Sequence, residues 1–247
     1  MVKVDSTLLL ILVISVAGPI VGSFIGIIKK PSEKFMYNML AFAGGVMLAI
    51  SFLELIPESI KFSSMIICSL GILFGSFIMF ILEKTVPHEH ASICPRNKDY
   101  ELKRTSLYLI FGMFLHNFPE GMAIATGTVS SDLKTSLIIA LAIAIHNIPE
   151  GICTSVPYYL YSKKRLKSFL VSSVTAIPVL IGFVSATFIF QNISNSLIGF
   201  IIGATAGLMI YITADELIPS SCCKLTNNKT IFYLVAGILL VVLLGAI

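Results

Sequence analysis

The chain has 247 residues, 56% of them hydrophobic and 12% charged, with a formal net charge of +4 and a mean hydropathy of +0.95. That balance excludes a soluble globular domain and identifies an all-α integral membrane protein, whose surroundings are the lipid bilayer. Nothing in the composition points to nucleic acid as a partner.

Allowing about 30 residues for each span and its connection, the length holds seven or eight transmembrane helices. Apolar runs place eight, at about 7–28, 36–57, 62–83, 105–129, 133–160, 168–190, 196–219 and 229–247. The first run, Leu8 to Ile28, lacks a small-residue cleavage site before a polar chain, so it reads as a retained span rather than a signal peptide. There is no Trp, which leaves Tyr and Phe as interfacial anchors. Connections are short except at about 84–104, a polar stretch with Pro87, Pro95 and mixed charge. The whole of 1–247 reads as a single transmembrane domain. Its five cysteines (Cys68, Cys94, Cys153, Cys222 and Cys223) have no framework spacing, so no disulfide scaffold is implied.

Sorting Lys and Arg by alternate loops puts Lys3, Lys61 and Lys134 on one side and the other 14 on the opposite side. By the positive-inside tendency the 14-residue side, including loop 84–104, is cytoplasmic. Both termini then face outward from a multi-pass protein of the plasma (inner) membrane.

Spans two and seven share a repeat: GVMLAISFLELIPES from Gly45 to Ser59 and GLMIYITADELIPSS from Gly207 to Ser221. With eight spans these copies run antiparallel, and Pro19 of span one and Pro178 of span six fall at nearly the same offset. The pattern predicts a 3+2+3 bundle with inverted halves, a recurring design of transporters.

The two central spans carry the chemistry. Leu107 to Thr126 holds His116, Asn117 and Glu120, and LAIAIHNIPEG, ending at Gly151, holds His146, Asn147 and Glu150. A charge at the centre of a span costs roughly 2.5 to 3.5 kcal/mol, so a duplicated H-N-[FI]-P-E-G argues for function. On a helix, His and Glu four apart share a face, with Asn on its flank, so imidazole nitrogen and carboxylate oxygen reach one cation. Pro119 and Pro149 each leave a carbonyl four residues back without its helical donor, at Leu115 and Ile145. Gly112, Ala123, Gly127, Ala142 and Cys153 predict a close approach of spans four and five. Two imidazoles, two carboxylates and two amides suit a borderline divalent metal, zinc first, with Fe(II), Mn(II), Co(II) and Cd(II) also admitted. Magnesium and calcium prefer oxygen alone. The metal is cargo, and no cofactor is expected.

The paired HNFPEG and HNIPEG, the YSKKR loop after them, the eight spans and the GVMLxISFxELIPES stretch resemble the ZIP (Zrt-, Irt-like protein) metal transporters, most closely the bacterial zinc-uptake permeases. The resemblance covers nearly the whole chain. It implies a metal route between spans four and five, a mononuclear or binuclear centre built from the motifs, broad first-row metal selectivity and a homodimer. The chain departs from that branch at Ile177, before Pro178, where relatives carry a glutamate; a single firmly held metal is therefore expected.

Candidate route residues outside the motifs are Glu54 on span two, Asp215 and Glu216 on span seven, Met47, and His88 and His90 in the long loop. Glu58 ranks below Glu54, and Met47 and Met209 have core filling as their plain alternative. The leading function is import of a divalent transition metal into the cytoplasm. The rival is an intramembrane zinc-dependent hydrolase; inverted repeats and the lack of H-E-x-x-H favour transport.

Overall fold

The computed structural model describes residues 6–29, 31–85, 102–103, 106–107, 109–115, 117–118, 120–122, 133–189, 194–222 and 229–245. Among the described residues every regular element is helical: α1 (Ser6–Ile28), α2 (Glu33–Ile50), α3 (Ile56–Phe62), α4 (Met65–Thr85), α5 (Leu133–Ser162), α6 (Arg165–Ser173), α7 (Ala176–Ile189), α8 (Asn195–Ile212), α9 (Ile218–Cys222) and α10 (Lys229–Leu244). Helical residues also run through 109–115, 117–118 and 120–122. Four described stretches, Leu9–Ile28, Lys34–Phe62, Arg165–Ser185 and Asn195–Asp215, are long and apolar enough to cross a membrane. Met65–Ile81 and Thr230–Leu244 are shorter apolar helices. Loop 84–104, with His88, His90 and Cys94, lies largely outside the described residues.

Three boundaries differ from those read in the sequence. The expected turn at 58–61 lies instead at Ser63–Ser64, because the helix continues past Pro57 and runs on through Lys61. Span six is two helices. Pro178 cannot donate to the Val174 carbonyl, which takes the Ile177 N–H at 3.0 Å instead, while the Thr175 N–H turns back to the Ser172 carbonyl at 3.1 Å. The third is the passage from α5 into α6, made in two residues, Lys163 and Lys164; Lys163 adopts the left-handed conformation (φ 56°) that lets α5 stop at Ser162.

Spans two and seven each contain a π-helical turn, at Ser51–Leu55 and Thr213–Leu217. Each ends two residues before a proline, Pro57 or Pro219, whose missing N–H leaves the carbonyl four residues back without its usual donor. The ladder continues through wider bonds, from the Ile56 N–H to Ser51 O and from the Ile218 N–H to Thr213 O. The Ser51 hydroxyl adds a bond to the Met47 carbonyl at 2.8 Å.

The sequence repeat has a packing counterpart at a constant spacing of 162 residues. Ser32 and Ser194 cap α2 and α8, accepting from the N–H groups of Phe35 at 3.1 Å and Leu197 at 3.3 Å. Gly45 lies against the Leu234 backbone of α10, and its counterpart Gly207 against the Ile72 backbone of α4. Gly237 lies against Phe42, and its counterpart Gly75 against Ala204. Neither pair leaves room for a Cβ, so helix backbones meet directly there.

The central helices obey a similar relation. Gly22 of α1 abuts the Ile148 carbonyl, and Gly182 of α7 abuts the Phe118 carbonyl, the same position in the two H-N-x-P-E-G copies. Gly151 and Gly121 in turn face the carbonyls of Pro19 and Val179. Pro19 is thus matched by Val179, the neighbour of Pro178, in keeping with the nearly equal offsets of the two prolines.

The main core joins α2, α8 and the 109–113 helix to α5 through Leu40, Val46, Met47, Met113, Val156, Met209 and Ile212. A smaller one gathers Ile11, Met122, Val179 and Phe183. Gly112 faces Ile212, and Cys153 donates to the Met39 carbonyl at 3.1 Å. Both therefore pack toward spans two and seven, not toward each other as expected. The closest described approach to α5 belongs to α1, through Gly18, Gly22 and Gly26.

Candidate metal centre

The polar groups of the two motifs sit in the interior. Asn147 and Glu150 lie on α5, which stays helical through Pro149 and Pro157, and Asn117 and Glu120 lie on the facing helical residues. Exposures of 0% and 2% for the first pair, and 1% and 7% for the second, leave two carboxylates enclosed by protein. Carboxylates are held in such a place only by donors or a cation.

One donor crosses between the motif copies. The Asn147 amide nitrogen reaches both Glu120 oxygens, at 3.0 and 3.1 Å. Asn117 does not make the symmetric bond; its amide nitrogen donates to the Thr175 carbonyl at 2.7 Å, in the break between α6 and α7. The amide oxygens of both asparagines are buried with no hydrogen-bond partner among the described residues. Each motif copy thus carries one orphaned carbonyl-type oxygen and one buried carboxylate.

The structure thus brings Glu120 and Asn147 into contact and buries Asn117 and Glu150 beside them in sequence. His146 occupies α5 one turn before Glu150, but its side chain, like all of His116 and Pro119, lies outside the described residues. Among the described residues no three His, Cys, Asp or Glu side chains cluster.

The remaining candidates are dispersed. Glu54 is exposed in the first π turn, and Asp215 is half-buried in the second, where the Glu216 side chain is not described. Glu58 is partly buried in α3. Met47 is fully buried, its sulfur accepting the Thr213 hydroxyl at 3.8 Å, and Met209 is equally buried. Ile177, at the place where a glutamate was expected in relatives, is 47% exposed, unlike Glu120 and Glu150. Sequence reading passed over Thr175, whose carbonyl holds Asn117. The available signal was Pro178 three residues on, since a proline inside an apolar span marks a break in the helix ladder.

Comparison with known proteins follows the same lines. Residues 4–106 and 84–245 match the family model described as ZIP Zinc transporter. The chain is 33% identical over 239 residues to "Zinc transporter ZupT" of Escherichia coli O127:H6 (strain E2348/69 / EPEC), covering 93% of this chain and 92% of that protein. Proteins of the same name from Escherichia coli O1:K1 / APEC and from the K12 / DH10B strain give the same figures.

Proposed function

The chain belongs to the ZIP zinc transporter family, and we propose that it carries zinc into the cytoplasm through a centre formed by His116, Asn117, Glu120, His146, Asn147 and Glu150. It is a membrane transporter, not an enzyme. The observation that carries the reading is the Asn147 amide clasping the buried Glu120 carboxylate, which joins the two motif copies at one place. The metal is substrate: imidazole and carboxylate bind it, and neutral amide oxygens complete the set without adding charge that would slow release. The same donors admit Fe(II), Mn(II), Co(II) and Cd(II) as competing cargo.

The architecture that goes with this function is a single domain of eight spans in a 3+2+3 inverted arrangement. Its support is the pairing of Gly45 with α10 and Gly207 with α4, and of Gly22 and Gly182 with the two motif copies. The excess of Lys and Arg on one side supports outward termini.

Zinc uptake into proteoliposomes, under a fixed voltage and ion gradient, tests the reading. Wild type is expected to transport, and Glu120→Ala and Glu150→Ala to lose most of the flux at equal protein incorporation. Wild-type flux in both variants would remove the carboxylates from the route.

A further inference from the structure

Three buried hydroxyls outside the H-N-x-P-E-G motifs converge one turn beyond Glu150. Thr154 of α5, Ser172 of α6 and Ser23 of α1 are each 0% exposed. The Ser172 oxygen lies 2.5 Å from that of Thr154 and 2.7 Å from that of Ser23. The Thr154 hydroxyl lies 3.1 Å from the carbonyls of both Glu150 and Gly151, and the Ser172 hydroxyl 3.3 Å from that of Gly151, so the single proton of each is shared among these acceptors and the neighbouring hydroxyls. Ser23 donates to the Pro19 carbonyl at 2.7 Å. The backbone on the C-terminal side of the Glu150 carboxylate is therefore gripped by side chains from α5 and α6, with α1 packed behind.

The same turn of span six reaches the other motif copy. The Thr175 hydroxyl donates to the Ser172 carbonyl at 2.8 Å, and the Thr175 carbonyl accepts the Asn117 amide at 2.7 Å. Asn147 then returns from the second copy to Glu120 of the first. These bonds form a closed circuit: Asn117 to Thr175, Thr175 to Ser172, Ser172 to Gly151 and Thr154, and, back along α5, Asn147 to Glu120. It passes through both motif copies, and between them it runs through Thr154 and the turn from Ser172 to Thr175.

We propose that Thr154, Ser172 and Ser23 are positioning residues that fix the separation of the two motif copies through the Ser172–Thr175 turn, and so set which divalent ion the centre prefers. A cation held by donors on two helices experiences the gap between them as a fixed ligand distance. Hydrogen bonds behind such donors govern how closely that distance is kept. Neutral hydroxyls do this without placing charge in the membrane interior. The role rests on the metal-centre reading above, and the experiment separates the two.

The experiment measures uptake of Zn²⁺ and of the larger, softer Cd²⁺ by Thr154→Val, Ser172→Ala and Ser23→Ala, with Thr154→Ser retaining the hydroxyl. Apparent KM and maximal rate are taken per folded protein in proteoliposomes. Thr154→Val is expected to raise the KM for zinc about 10-fold, within the 10- to 100-fold range found when groups supporting metal ligands are removed. Its maximal rate should change far less, its zinc-to-cadmium preference should shift, and Thr154→Ser should recover most of both. Unchanged KM and metal preference in Thr154→Val overturn the proposal, as does a fall in maximal rate that is equal for the two metals. If Thr154→Val does not fold, Ser172→Ala and Ser23→Ala are judged by the same two criteria. Full transport by Glu150→Ala overturns the centre itself, whereas loss in Glu150→Ala with an unmoved Thr154→Val overturns the positioning role alone.

Discussion

The bond from Asn147 to Glu120 permits a graded perturbation. Asn147→Ala removes a donor shared by two carboxylate oxygens at 3.0 and 3.1 Å, in a side chain only 7% exposed. A hydrogen bond to a charged group contributes about 1.5–3 kcal/mol, so the metal-free protein should lose that much, or roughly 3–12 °C in melting temperature for a chain of this size. Asn147→Asp substitutes a second negative charge for the donor. At about 3 Å and an effective dielectric of about 20, two such charges repel by roughly 5 kcal/mol, a deficit that a divalent cation between them reverses. Melting curves in detergent, with chelator and with zinc, should rank wild type above Asn147→Ala above Asn147→Asp without metal. Zinc should raise Asn147→Asp the most. Equal zinc-induced shifts in all three, or an Asn147→Asp protein as stable as wild type in chelator, would refute the placement of Asn147 against Glu120 and the cation site built on it.

Cysteine labelling from outside should reach engineered sites near residues 60 and 131 and miss those near 96 and 164; the reverse pattern overturns the assigned orientation. Because imidazole binds metal only when neutral, apparent zinc affinity should fall as pH is lowered; His116→Ala with His146→Ala should flatten that profile, and an unchanged profile removes both from the route. Mass spectrometry of the purified protein should count one tightly held metal per chain, and two would show that the amides or water supply what a further carboxylate would. Gly45→Leu and Gly207→Leu should each lower stability to a similar degree, since each drives a side chain into the backbone of the opposing helix; a strongly unequal loss, read by thermal melting, contradicts the matched packing.

Much of this was legible in the sequence because it rests on chemistry that lipid makes conspicuous. Buried Glu120 and Glu150, each four residues after a histidine, stand out against an apolar run, and the Gly45–Ser59 and Gly207–Ser221 copies can be aligned by eye. The π turns were not legible, since a hydropathy pattern of period 3.6 absorbs one wide turn without a visible break. The break at Val174–Thr175 lies inside a stretch whose hydropathy indicates a continuous span, and Pro178 was the signal of it in the sequence. Gly112 and Cys153 were assigned to the wrong neighbour because a small residue shows that something comes close without naming what does. Ser23, Thr154 and Ser172 escaped because an isolated hydroxyl in an apolar helix usually bonds its own backbone, and only the fold brings three of them together.

The crossed glycine contacts bear on how the protein is made. Gly45 on α2 finds its backbone partner at Leu234, and Gly75 on α4 finds its own at Ala204. The first half of the chain therefore contains few of its own closest neighbours, and early helices wait in the membrane for late ones. At about 5–20 residues per second of synthesis, α2 exists for roughly 10–40 s before α10 is complete. During that interval its glycine face is open to lipid, to insertion factors or to another nascent chain. Truncation near the C-terminus should consequently harm assembly as much as a lesion in the centre does, although α10 carries none of the proposed ligands.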